Sequence, residues 1–570
     1  MEIHSSIHSP ISRRGILKGA AALAGAVAAS AIVPELTGAT TGRPVSTVAA
    51  GKSPIAASDS NAIVEITAGK VRGYTRNGIY TFKGIPYAAS TAGSARFMPP
   101  VKVTPWAGVR SSMQFGNVSP QGPRAGWAND EEAWMFSWDD GIPGEDCLRV
   151  NIWTPGINDH KKRPVMVWLH GGGFQSGSGQ ELKSYDGENL ARRGDAVLVS
   201  LNHRLGVLGY MDLSAYGDRY TSSGNVGMLD IVAALEWVRD NIGNFGGDPA
   251  NVTIFGQSGG GGKVGTLMAM PGAQGLFHKA IVQSGSMLRA GTHEKSQRMA
   301  AAVLDQLGLS PAQADELQSV PYQKLIEAGV AAVRKLVPAG LPDMRRIAER
   351  LGWTPIVDER ILPQHPFDPE APAISANVPM LIGTVLNEFM TALNHPEHES
   401  MSNEEVNKRV GDMYGEKSAA VIAAFRRAHP EARPFDIYSL IAAAPVRQNA
   451  VRQAERKAAL NAAPAYLWWF TWKTPVLDGR PRAFHCAELA FAFDNTDRCE
   501  NMTGGGPEPR ALAARMSQAW IEFAPKGDPN HPGLPAWPTF SAGKCPTMIF
   551  DKICVMKDNP DLEERKVIQD

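Results

Sequence analysis

In the stretch Asn251-Val-Thr-Ile-Phe-Gly-Gln-Ser-Gly-Gly260 a serine sits among glycines directly after an apolar, β-branched run. Residues of these types in this order can make a nucleophile. The strand stops at Gly256-Gln257-Ser258-Gly259-Gly260, the small residues let strand and helix approach, and the hydroxyl projects from a strained turn. A serine hydroxyl is a weak nucleophile by itself, so Ser258 needs a base to take its proton during attack and an acid to orient that base. The chemistry open to such a group is acyl transfer, with the acyl group carried on the serine.

The elements around Ser258 fit that reading. Residues 252–255 predict a buried strand, and 263–270 predict a short apolar helix that ends before Pro271. Gly259 to Gly262 followed by Lys263 superficially suggests a phosphate-cradling loop, but that loop needs Gly, four residues, then Gly-Lys-Ser/Thr. Here Gln257 stands at the first glycine position and Val264 at the hydroxyl position. Further out, residues 63–66, 71–74 and 80–82 read as short antiparallel strands joined by glycine turns, the last reached through Asn77-Gly78. Apolar strand candidates at 148–153, 164–169, 196–201 and 251–255, with a helix at 228–241, give the strand–helix alternation of a mostly parallel α/β sheet covered on both faces. Helix-rich blocks at 292–350 and 403–463, interrupted by prolines, read as insertions around the sheet. The aromatic stripe Tyr466-Leu-Trp-Trp-Phe-Thr-Trp472 reads as a late core strand.

Over 570 residues, Lys plus Arg (57) equals Asp plus Glu (57), so no overall field favours nucleic acid, an anionic membrane or a charged ligand; a small molecule is the expected partner. Ser12-Arg13-Arg14-Gly15-Ile16-Leu17-Lys18, followed by an apolar run from Gly19 to Val33 that Pro34 ends, fits a twin-arginine export signal. The run is too short to span a membrane. Cleavage after Ala31 or Ala39 fits the small residues there, giving a signal over 1–39, a flexible leader rich in Ala, Thr, Ser, Gly and Pro over 40–60, and one α/β domain over 61–570, periplasmic or secreted. Five cysteines permit at most two disulfides; 486/499 and 545/554 are near in sequence, but spacing does not establish bonding. No Cys/His set has zinc-site spacing, so no metal and no cofactor is expected.

With Phe82-Lys-Gly-Ile-Pro-Tyr87, Glu145-Asp-Cys-Leu148, Asn151-Ile-Trp-Thr-Pro155, His170-Gly-Gly-Gly-Phe174, Asn202-His-Arg-Leu-Gly206, Gly224-Asn-Val-Gly-Met-Leu-Asp230 and Phe245-Gly-Gly-Asp-Pro249 in this order, the chain resembles the type-B carboxylesterases, the cholinesterase-like branch of the α/β-hydrolases. The resemblance implies an α/β-hydrolase fold and hydrolysis of carboxylic esters without a cofactor. It places the acid at Glu388, after the apolar strand of Pro379-Met-Leu-Ile-Gly-Thr-Val-Leu-Asn-Glu388; Asp358 and Glu359 lie nearby without a preceding strand. It places the base at His485, in Ala483-Phe-His-Cys-Ala-Glu-Leu489, among 13 histidines of which His170, His203 and His278 read as structural. The matching oxyanion donors are the backbone amides of Gly172, Gly173 and Gly259.

The same resemblance implies ion pairs Arg96–Glu145 and Arg204–Asp230, and a contact from Ser284 to Glu388. Two departures stand out. Many relatives bond the cysteine of Glu-Asp-Cys-Leu to one upstream, where this chain has Ser119, so Cys147 is expected to lack that disulfide. The family's usual Glu-Ser-Ala-Gly is Gln257-Ser258-Gly259-Gly260 here, which keeps the amide donor and alters the elbow. The same constellation would also serve a lipase or an amidase, and the fold also carries adhesion proteins without catalytic residues. Trp127, Trp134 and Trp138 precede Glu145 in a long loop and either stack on a substrate or pack beneath the loop.

Overall fold

Alternation of side chains across the central strands sorts the core into two layers. Along Arg163–Leu169, Val165, Val167 and Leu169 join one buried cluster while Met166 and Trp168 join the other; along Gly247–Gln257, Val252 and Ile254 fall on the first side and Phe255 on the second. A strand buried on both faces has no polar face to show, which is why these segments read as continuous apolar runs.

A computed structural model of the chain describes residues 54–122, 130–336 and 352–569, all within one compact unit. The export signal, most of the leader, Trp127 and residues 337–351 of the first helical block lie outside the described residues. In chain order the strands are β1 (Ile55–Ala56), β2 (Ile63–Ile66), β3 (Gly69–Arg72), β4 (Tyr74–Arg76), β5 (Ile79–Pro86), β6 (Val109–Ser111), β7 (Arg149–Thr154), β8 (Arg163–Leu169), β9 (Val197–Leu201), β10 (Gly247–Gln257), β11 (Lys279–Gln283), β12 (Met380–Val385), β13 (Ala465–Phe470), β14 (Pro546–Phe550) and β15 (Val555–Asp558).

Twelve of them form one sheet in the order β1-β4-β5-β7-β9-β8-β10-β11-β12-β13-β14-β15, and β2-β3-β6 form a small second sheet. From β9 to β14 every pairing is parallel; the pairings from β1 to β9 and the last, β14 with β15, are antiparallel. This is the α/β-hydrolase architecture: a large, mostly parallel sheet with an antiparallel N-terminal part and helices around it. Ile55–Ala56, inside the stretch read as a leader, pairs with Arg76 and Thr75 at the sheet edge, where backbone bonds alone suffice and both residues stay exposed.

The helix Val226–Asn241 buries Met228, Ile231, Leu235 and Val238, a three-to-four-residue spacing that lays one stripe on the sheet. Its Asp230 pairs with Arg204 at 2.6 Å, and Arg96 pairs with Glu145 at 2.6 Å, as expected; the first pair is wholly buried and the second nearly so. The second helical block contains Asn403–Tyr414, Ser418–Ala428 and Pro434–Ala459. Pro434 starts the last of these at a position whose amide has no helical partner, and the helix continues through Pro445.

Candidate active site

Ser258 follows the last residue of β10 and caps the helix Gly259–Met268 with φ 57° and ψ −125°, a conformation that side chains rarely adopt. The turn is held by Ser258 N donating to the Gln283 carbonyl of β11 at 2.8 Å and Gly262 N donating to Ser258 O at 3.1 Å. A Cβ at Gly260 would sit 1.9 Å from the Leu169 carbonyl of β8, so the helix approaches the sheet closer than any side chain allows. The helix therefore begins at Gly259, four residues before the expected Lys263: the glycines that read as breakers are what let its first turn sit on the sheet.

Glu388 lies three residues beyond β12, and His485 lies in the connection after β13. Both, like Ser258, stand at the C-terminal edge of the parallel strands, where open α/β sheets present their crevice. His485 Nδ1 and Glu388 Oε2 are 2.5 Å apart, and the His485 amide donates to the Glu388 carbonyl at 2.8 Å, so side chain and backbone both join the two segments. With Nδ1–H given to the carboxylate, Nε2 presents its lone pair. Gln257 Nε2 donates to it at 3.0 Å, while Gln257 Oε1 accepts from the Cys486 thiol at 3.2 Å. The Phe389 ring lies over the imidazole, with centroids 3.8 Å apart. Burial pushes the Cys486 thiol well above its ordinary value, helped by the Glu488 and Glu388 carboxylates, so it is a neutral donor.

Ser284 and Glu388, expected in contact, meet at one backbone amide. The Val385 amide donates to Ser284 Oγ at 3.3 Å and to Glu388 Oε1 at 3.2 Å, so the two side chains converge on one backbone hydrogen. Asp358 Oδ1 accepts the amides of Arg360, Ile361 and Leu362 and Oδ2 accepts from Asn225, which makes it a loop organiser rather than a partner of His485.

The glycine loop follows β8. Gly172 and Gly173 have φ of 78° and 63°, and a Cβ on Gly172 would meet the Ser176 carbonyl at 2.2 Å. Gly172 O accepts from the Gln175 and Ser176 amides, and among the described residues no backbone acceptor takes the amide hydrogens of Gly172 or Gly173. The loop lies against the elbow: a Cβ on Gly259 would sit 2.2 Å from Gly173 O.

Ser258, His485, Glu388 and both loop glycines line a cavity of about 720 Å³. Phe136, Trp138, Tyr185, Phe389, Tyr438 and Phe484 supply its aromatic wall; Trp138 thus faces the cavity, whereas Trp134 is half exposed outside it. On the far side His395, Glu397 and His398 bring possible ligand atoms within 4.8 Å of one another. The two imidazoles are stacked at 5.1 Å and 27°, so their in-plane lone pairs run side by side instead of converging on an ion. All five cysteines are free, Cys147 among them, and the near pairs 486/499 and 545/554 are unbonded.

The Carboxylesterase family model matches residues 60–566. The chain belongs to the carboxylesterase family. It is similar to the para-nitrobenzyl esterase of Bacillus subtilis, 35% identical over 88% of this chain and 98% of that protein, and to the phenmedipham hydrolase of Pseudarthrobacter oxydans, 33% identical over 84% and 93%. Among solved structures, an esterase from Clostridium hathewayi that can hydrolyze aliphatic aromatic polyesters superposes with a TM-score of 0.76 at 36% identity, covering 90% of this chain and 98% of that one. A carboxylesterase from Geobacillus stearothermophilus superposes at 0.75 and 35%, covering 89% and 99%.

This carboxylesterase is a serine hydrolase of carboxylic esters, acting on small-molecule substrates. No helix among its described residues is long and apolar enough to cross a membrane. Sequence reading singled out Ser258, Glu388 and His485, which the fold brings to one cavity, and missed how Gln257 and Cys486 are used. They stand 229 positions apart in the chain, so no local pattern joins the amide and the thiol that together face the imidazole. It also missed the part played by Lys263, read as a helix start and weighed against a phosphate loop, whose amine is buried under the glycine loop.

Proposed function

We propose that Ser258, His485 and Glu388 are the catalytic triad of this carboxylesterase, with the amides of Gly172, Gly173 and Gly259 receiving the oxyanion. The observation that carries the reading is the 2.5 Å bond between His485 and Glu388 in the same cavity as a serine held at φ 57°. His485 Nε2 exchanges the Gln257 amide for the Ser258 hydroxyl and takes its proton as Oγ attacks the ester carbonyl. The tetrahedral oxyanion faces the three amides, the alcohol leaves with the proton from His485, and water activated by the same imidazole releases the acid. Hydrogen bonds of this kind are often loose in the free enzyme and tighten with substrate, which accommodates the resting bond from Gln257.

The substrate class we favour is an ester with a planar aromatic group, because seven aromatic side chains are among those lining the cavity and aromatic rings pack by offset or edge contact. The substrates named for the para-nitrobenzyl esterase and for the polyester-cleaving esterase agree with it. A fluorophosphonate probe should label the protein covalently, and Ser258→Ala should abolish labelling and turnover together; undiminished labelling of that variant would refute the assignment. Lipase or amidase activity is tested alongside: short and long acyl esters with and without a lipid interface, and an amide. Activation at the interface would replace the esterase reading.

Export by the twin-arginine route, to the periplasm or beyond, is the proposal supported by Ser12-Arg13-Arg14 and the following apolar run. Arg13→Lys with Arg14→Lys should leave the protein in the cytoplasm of a bacterial host that exports the parent; export of both would overturn it.

A further inference from the structure

Lys263 lies one turn into the helix after Ser258 and is 0% exposed. Its Nζ donates to the carbonyl oxygens of His170 at 2.8 Å and Gly173 at 3.0 Å, with Gly171 O at 3.5 Å, and the Phe174 ring lies 5.5 Å away. All these partners belong to the glycine loop. Burial draws the amine down to about 7, against the pull of the Glu181 carboxylate, so keeping an amine here opposes a real desolvation penalty. A methylene chain of the same length would fill the space without that penalty. What the amine adds is its bonds.

Those bonds bear on geometry because a trans peptide is planar, with N–H opposite C=O. The carbonyl of the Gly171–Gly172 peptide is held by His170 Nδ1 at 3.0 Å and faces Lys263 Nζ at 3.5 Å, which turns the Gly172 N–H the other way. The carbonyl of the Gly172–Gly173 peptide is taken by the Gln175 and Ser176 amides, which likewise directs the Gly173 N–H outward. The carbonyls of His170 and Gly173 are pinned on either side. The two peptide planes that carry the donors are thus fixed by the His170 ring and the 172–176 turn, with Lys263 bracing the carbonyls on both sides of them from behind the loop.

We infer that Lys263 is a positioning residue for ester hydrolysis: its amine fastens the backbone of residues 170–173 from behind and so holds the amide hydrogens of Gly172 and Gly173 on the Ser258 side of the cavity. The inference rests on the reading of those amides as oxyanion donors. It also couples the elbow to the donors, since the nucleophile and the amine that hydrogen-bonds the loop are borne on consecutive turns of one helix start.

Lys263→Met keeps an unbranched stem and removes the donors. The variant is compared with the parent by active-site titration with a chromogenic ester, by kcat per titrated site and KM, and by the affinity of an aryl trifluoromethyl ketone that adds to the serine as a tetrahedral oxyanion. The expected result is a fall in kcat per site of about 100-fold with KM nearly unchanged, and a loss of ketone affinity by the same factor as kcat/KM. Lys263→Gln, which retains N–H donors on a shorter stem, should recover part of the loss; if the Met variant does not fold, the Gln variant carries the same measurements with an expected drop of about ten-fold. Fewer titratable sites with kcat per site unchanged would reduce Lys263 to a structural residue, and unaltered ketone affinity would overturn the inference. Failure of the parent enzyme itself to form the ketone adduct would instead sink the Ser258 reading.

Discussion

Replacing Gly259 with alanine, the residue usual at this point in the family, should damage this enzyme. A Cβ built on Gly259 lies 2.2 Å from Gly173 O, 2.4 Å from its Cα and 2.5 Å from its carbonyl carbon, where ordinary van der Waals contact begins near 3.4 Å. All three are backbone atoms, so relief requires the glycine loop to withdraw by about 1 Å, and a displacement of that size at a reacting centre costs about 100-fold in rate. The loop is fastened at Gly173 O by Lys263, so the withdrawal also stretches a 3.0 Å bond. The expected loss is about 100-fold in kcat, or about 2.7 kcal/mol of transition-state stabilisation, with KM little changed. Alanine is favoured over glycine in a helix by about 1 kcal/mol, which offsets some of the strain, so the variant should stay folded with its thermal midpoint within a few degrees of the parent. Steady-state kinetics on an aryl ester with sites counted by titration, beside a thermal melt, decide it. A kcat per site within about three-fold of the parent would mean that the loop is not seated against Gly259 as described, and the distance argument would fall.

Glu488→Gln should flatten the pH dependence of stability. Burial, with the neighbouring Glu388 carboxylate, raises the Glu488 carboxyl from 4.5 to about 8, against the bond from Gln283. Between these values the unfolded chain releases a proton that the folded one keeps, so the folded state loses stability as pH rises from 4.5 to 8 and is indifferent below and above. The advantage of the variant should be absent at pH 4 and grow to several kcal/mol by pH 8; parallel melting curves would refute it. Asp230→Ala strands the buried Arg204 guanidinium and should cost about 3–5 kcal/mol in denaturant unfolding, whereas a loss below about 1 kcal/mol would mean that solvent reaches the pair. Alkylation of the denatured, unreduced protein should add five labels by mass spectrometry; three or fewer would reveal a disulfide.

The elbow, the strands and the three residues proposed as the triad were legible as candidates because each is a local pattern: a glycine-flanked serine after β10, an apolar run before Glu388, a family motif around His485. The start of the helix after Ser258 was misplaced because glycine's poor helix propensity was weighed without the strand beneath it; the Leu169 carbonyl, supplied from 91 residues upstream of Gly260, explains why no other residue fits there. The contact expected between Ser284 and Glu388 runs through the Val385 amide, and a shared backbone amide carries no sequence signature. Gln257, Cys486 and Lys263 were invisible as a set because their partners are brought together only by the parallel strand order.

The reacting groups hang from the ends of neighbouring strands, whereas part of the cavity's outer wall comes from elsewhere: Arg409, Phe435 and Tyr438 sit on helices within 403–459. Ser439 on the last of these helices accepts from Asn387 and donates to the Met390 carbonyl, on either side of Glu388, so the helices must stay while their cavity-facing positions 409, 435 and 438 can change. Substrate preference and bond-breaking machinery are therefore separable in this chain. A library confined to those three positions, with Asp436 and Ser439 kept, would search ester selectivity while inheriting the proposed hydrolytic groups, and loss of all activity across such a library would show the two to be one unit after all.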